Sequence, residues 1–227
     1  MNTERANGKL VASIAHGSKP KLRGVIHKYS FFVSLLTGPL MMWMTVSEAQ
    51  VFSNLIYSLS VTLLFGTSAL YHCVNWPENQ RLWMRRLDHT MILVLIAGTY
   101  TPLVSTGIDD ELGRFVLKVV WGATALGALI KLGYPNAPKW VSGLSYGALG
   151  WFALYPLEAI INHWGWSCAQ WLLAGGVLYT IGAIAYALKR PNPWPESYGY
   201  HEIFHSFVSL AALCHYRAIT EISWATL

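Results

Sequence analysis

Two histidines stand four residues apart in the segment His201-Glu202-Ile203-Phe204-His205. On a helix that spacing puts both imidazoles on one face, about 6 Å apart, where they can share one metal ion. The plainer reading is a pair of histidines at a membrane interface with no ion between them. Ser68 and His72 repeat the spacing in Ser68-Ala69-Leu70-Tyr71-His72, and Asp88-His89 follows the basic pair Arg85-Arg86. Three imidazoles and a water form a zinc site of the catalytic kind, with one position left open. His72, His201 and His205 are therefore the candidate metal ligands. Asp88 and Ser68 are the groups that would bind the water or a substrate oxygen. Imidazole serves several metals, and Zn2+ is favoured by availability and by the three-histidine pattern. Asp88 taken alone also suits a helix N-cap. Glu202 follows His201 as the glutamate follows the first histidine in H-E-x-x-H proteases, but the string by itself does not give it their mechanism. His89 should diverge from Asp88 by about 100° around a helix. His27, with Arg23, stands at the end of the first apolar stretch, where it either supports the site or is merely interfacial.

These residues need elements that hold them at one depth. The 227 residues are 54% hydrophobic and only 12% charged, with a mean hydropathy of +0.37. A soluble domain is about 25% charged, so this balance points to lipid. Seven apolar stretches, near residues 29–45, 54–72, 87–106, 112–132, 141–162, 169–188 and 200–219, predict seven transmembrane helices. Runs such as Met91-Ile92-Leu93-Val94-Leu95-Ile96-Ala97 do not alternate, which argues against a barrel. Pro102 and Pro156 are expected to kink their spans. Residues 1–28 read as a basic tail and residues 29–227 as one transmembrane domain.

The net charge of +5 suggests no nucleic-acid partner, because the cations gather in particular loops. With the N-terminus in the cytoplasm, every Lys and Arg except Arg114, Lys118 and Arg217 lies on the inner side. The positive-inside bias thus predicts an inner N-terminus and an outer C-terminus. It brings the end of span two and the starts of spans three and seven to one face, so His72, Asp88, His201 and His205 fall at the same depth. Cys73, Cys168 and Cys214 form no disulfide framework or CxxC pair.

The segments Arg23-Gly24-Val25-Ile26-His27, Ser68-Ala69-Leu70-Tyr71-His72, Arg85-Arg86-Leu87-Asp88-His89, Ala97-Gly98-Thr99-Tyr100-Thr101-Pro102 and His201-Glu202-Ile203-Phe204-His205 together resemble the haemolysin III family, within the progestin and adipoQ receptor superfamily. The resemblance runs from about residue 21 to 219. It implies a seven-helix bundle with an intramembrane zinc site near the cytoplasm, His72, His201 and His205 as ligands, and Ser68 and Asp88 as the accompanying polar pair. Many members carry an acidic residue and an Asn-x-x-x-His pattern at the first span, where this chain has Arg23, His27 and Phe31 instead. The expected activity is zinc-dependent hydrolysis of a lipid amide or ester, with membrane lipid as both solvent and substrate. The alternatives are a membrane regulator or receptor with structural zinc, and a cytolytic protein. A bacterial inner membrane is the expected location; the residues do not specify an oligomeric state.

Overall fold

The computed structural model describes residues 19–45, 47–105, 108, 110–134 and 139–224. Of the tail expected over residues 1–28, residues 1–18 lie outside them. Seven α-helices follow in order: α1 Val25–Met44, α2 Glu48–Cys73, α3 Glu78–Ser105, α4 Asp110–Gly133, α5 Lys139–Trp151, α6 Leu157–Leu188 and α7 Tyr200–Trp224. Among the described residues there is no strand, only an isolated bridge between Trp194 and Tyr198. The all-α, seven-helix architecture expected from the apolar runs is the one observed.

Four helices are long and apolar enough to cross a membrane on length and composition alone: Gln50–Cys73, Glu78–Ser105, Glu111–Gly133 and Leu157–Leu188. Helix α5 has only 13 residues. Helices α1 and α7 are long enough, at 20 and 25 residues, but are diluted by the polar groups they carry, among them His27, Lys28, His201, Glu202 and His205. The polarity of the bundle is inverted relative to a soluble protein. Phe32, Leu36, Trp43, Leu129, Leu144 and Leu213 are exposed on the outside, while Ser34, Ser53, Asn54, Ser60, Thr99, Thr101 and Thr124 are buried. In water, so much outward apolar surface would carry a large transfer cost. In lipid it costs nothing, and the inward polar groups find partners: Asn54 donates to the Thr45 and Ser223 hydroxyls, each at 2.9 Å, and the Thr99 and Thr101 hydroxyls donate to carbonyls one turn back.

Small residues bring the helices close. A Cβ at Gly98 of α3 would lie 2.7 Å from the Cβ of Ser60 on α2, so the two backbones meet at a point where only glycine fits. Helix α2 packs along α3, α3 along α4, and α6 along α7, while α1 lies against both α2 and α7 and closes the bundle between them. Helices α2 and α7 scarcely touch each other directly.

Several boundaries differ from the sequence expectation. Helix α2 starts at Glu48 rather than near residue 54, and α3 starts at Glu78 rather than near residue 87, so Asp88 lies in the interior of α3 and is not its N-cap. Helix α1 starts at Val25, earlier than residue 29, after a turn over residues 21–24. The fifth span is not one helix. It runs from α5 into a 3-10 turn, Phe152–Leu154, and α6 begins only after Pro156. Proline lacks the N–H that would continue the helix and clashes with the preceding turn. Within α6 the backbone at Gly165 is not helical, with φ 83° and ψ 166°, so two helices run end to end across it. That break falls between the fifth and sixth spans expected from hydropathy. Pro102, by contrast, lies inside the continuous helix α3.

Candidate metal centre

The site is assembled from helix ends. Helix α2 closes with the Val74 N–H on the Leu70 carbonyl, and His72 occupies its last turn. Pro77 precedes α3, which carries Asp88. Helix α7 starts immediately after the proline-rich connection 189–199, with His201 and His205 in its first two turns. Its N-terminus is capped from two sides: the Gly199 N–H donates to Glu202 Oε2 at 2.8 Å, and the Tyr200 N–H donates to Asn192 Oδ1 at 3.3 Å. A glutamate reaching back to the cap residue in this way satisfies a donor that the helix itself leaves open.

His72, His201 and His205 come together: one ligand atom from each lies within 4.8 Å of the others. Their ring centroids are 4.7 Å (His72 to His201), 4.9 Å (His72 to His205) and 4.6 Å (His201 to His205) apart. The Nε2 atoms of His72 and His201 are 3.3 Å apart. Two imidazole nitrogens at ~2.0–2.1 Å from a tetrahedral zinc would be separated by about 3.3 Å, so this pair already has the spacing of a shared ion. His205 is buried, and its Nδ1 has no hydrogen-bond partner. A buried polar atom without a partner is costly unless something other than protein satisfies it. The donor set and its spacing fit a zinc ion.

Asp88 and Ser68 also reach the cluster. Asp88 Oδ2 is 3.9 Å from His72 Nε2, and the Ser68 side chain, bonded to His27 Nδ1, stands near the Asp88 carboxylate. Asp88 is thus close to the ligand atoms without joining the three-histidine group. His89 stays apart: its Nδ1 bonds the Arg85 carbonyl at 2.6 Å. His215, lower in α7, bonds the Leu172 carbonyl.

Three residues gain contacts the sequence did not assign. His27 of α1 is 3% exposed, bonds Ser68 Oγ through Nδ1 at 2.8 Å, and stacks on His205. Glu202, only 1% exposed, accepts from Arg23 Nε at 2.5 Å as well as from the Gly199 N–H. Its carboxylate is committed to the start of α1 and to its own helix cap, so the H-E-x-x-H string does not supply a free base here. The available signal was the spacing of Arg23 and His27, four residues apart like the other pairs and at the same charge-marked face.

The Arg23–Glu202 pair ties the ends of α1 and α7 together. Removing one partner of a buried pair strands the other charge and typically costs about 3–5 kcal/mol. Glu202→Ala is expected to fall near the lower end of that range, because Arg23 retains some contact with water. Thermal unfolding in detergent should show a clearly lowered midpoint, while an exposed control such as Glu196→Ala should leave it unchanged.

The fold and the site define a class: an integral membrane protein of seven helices with a three-histidine cluster at one end of the bundle. The family described as "Haemolysin-III related" matches residues 16–216, and the chain belongs to it. It is 34% identical to "Hemolysin-3" of Bacillus cereus over 156 residues, covering 67% of each chain. It is 31% identical to "Hemolysin-3 homolog" of Bacillus subtilis (strain 168) over 183 residues, covering 77% of this chain and 81% of the relative. It is 42% identical to "ADIPOR-like receptor IZH2" of Saccharomyces cerevisiae over 196 residues, covering 73% of this chain and 57% of the relative. No solved structure matches the chain.

Proposed function

We propose that the chain is a zinc-dependent hydrolase of a lipid amide or ester, with its centre at the cytoplasmic side of a bacterial inner membrane. The observation that carries this reading is the three-histidine cluster with Asp88 standing close by outside it. A zinc ion held by His72, His201 and His205 would supply Lewis-acid polarisation of a carbonyl and acidify a water. Asp88 is the group to take a proton from the attacking water and pass it to the leaving amine or alcohol. With His27 Nδ1–H donating to its oxygen, Ser68 keeps its one hydroxyl proton for the oxygen that gains charge in the transition state. The site's position at the end of a helical bundle suits a substrate that stays in the bilayer while its headgroup linkage reaches the polar cluster.

Orientation follows from charge. Lys19, Arg23, Arg81, Arg85, Lys189 and Arg190 lie in or beside the segments at the site's end of the bundle. The positive-inside bias assigns that end to the cytoplasm. The names of the relatives divide between haemolysin and receptor, which keeps a second reading in view: a regulator in which Asp88 completes a closed, structural metal site.

The experiment is turnover with the metal as variable. Purified protein in lipid nanodiscs is offered N-acyl sphingoid and O-acyl glycerol lipids, before and after chelation and after zinc is restored. Hydrolysis that disappears with the chelator and returns with zinc supports the proposal. A protein that holds zinc and cleaves neither class of lipid contradicts it.

A further inference from the structure

Helices α2 and α7 carry all three candidate ligands, yet they hardly meet; each rests on α1. Helix α1 is thus the element that lies against both ligand helices. The residue that precedes its first turn presses directly on the ligand helix α2: a Cβ at Gly24, whose φ is +80°, would lie 2.6 Å from the Cβ of His72. One turn further, His27 faces both ligand-bearing helices at once. Its ring lies 3.8 Å from that of His205 with an interplanar angle of 2°, an almost parallel stack. Its Nδ1 is 2.8 Å from Ser68 Oγ on α2. Phe65 of α2 abuts the same ring edge-on, with centroids 5.1 Å apart. A buried imidazole gripped in this way has one orientation, and it imposes that orientation on the ring stacked against it. His27 itself is not part of the three-histidine group.

We propose that His27 is a positioning residue of the metal centre, fixing the ring plane of His205 by stacking and the hydroxyl of Ser68 by its hydrogen bond. The proposal rests on the metal-centre reading above. A ligand imidazole free to swing about its side-chain torsions loses entropy when it binds an ion. One already held by a flat neighbour does not, and groups that orient metal ligands typically contribute about 10- to 100-fold to metal affinity.

Two variants of similar bulk separate the flat ring from simple filling of space. His27→Phe keeps a planar face against His205; His27→Leu fills the volume without one. Each is compared with the wild type for zinc affinity, by chelator competition, and for the visible absorption of Co2+ bound at the site, which reports coordination geometry. The expected result is His27→Phe within about threefold of the wild type with the same Co2+ band, and His27→Leu about 10- to 100-fold weaker with a shifted band. Equal behaviour of the two variants, whether both intact or both weakened, would overturn the proposal. So would failure of both to fold, since the ring plane would then not be what the site needs from His27. A wild type that binds neither ion would remove the metal-centre reading, and this proposal with it, a result distinguishable from equal variants on a metal-binding wild type.

Discussion

His205→Ala should reduce zinc affinity by more than about 100-fold and take lipid hydrolysis to background, with the bundle still folded. Residues that merely orient a ligand contribute about 10- to 100-fold, so loss of a ligand itself must exceed that range. His205 is the most informative of the three because it is 2% exposed and its Nδ1 has no protein partner. His27 Nε2 beside it is likewise buried without a partner, so the cluster as a whole offers imidazole nitrogens that the protein does not satisfy. The fold should survive because the contacts that close α1 against α7, including Arg23 to Glu202 and the Ser30 to Ser209 hydroxyl pair, do not involve this ring. Metal affinity by chelator competition and helicity by circular dichroism, measured on the same preparation, check both halves of the expectation.

Asp88→Asn should behave in the opposite way towards the metal. The amide keeps the size of the carboxylate and its capacity to bond Ser68, but it cannot take up a proton. Zinc content is expected to stay at the wild-type level while turnover falls about 100- to 10,000-fold, the usual weight of a positioned general base. The same variant separates the two readings of the site. Were Asp88 a fourth ligand of a closed structural centre, replacing it would release the metal and lower thermal stability, and the wild type would show no hydrolysis to lose. Asp88 standing outside the three-histidine group favours the first outcome, since a fourth ligand would have to lie within reach of all three imidazoles.

The parts of the molecule that could be read from sequence are those governed by simple periodicity. His201 and His205 share a helix face because 3.6 residues make a turn, and His72 reaches the same depth because loop charge orders the spans independently of any histidine. The parts that could not be read depend on which way a side chain turns. Glu202 lies between two ligands in a string that matches a protease motif, and only its bonds to Arg23 and Gly199 show that its carboxylate is already committed. From the sequence His27 either supports the site or is merely interfacial; it is the packing of α1 between α2 and α7 that brings it onto His205. Hydropathy likewise ran the fifth span through Pro156, because a hydropathy sum does not register the missing N–H that ends one helix and starts another. The early start of α1 depends on the left-handed backbone at Gly24, which is a matter of conformation rather than composition.

His72, His201 and His205 are expected to hold one zinc ion together. X-ray absorption at the zinc edge on purified, untagged protein tests it most directly. The expected result is one zinc per chain, three imidazole nitrogens at ~2.0–2.1 Å and one further light-atom ligand. A preparation without zinc after exposure to the ion, or a zinc environment that is unchanged when all three histidines are replaced, would contradict it.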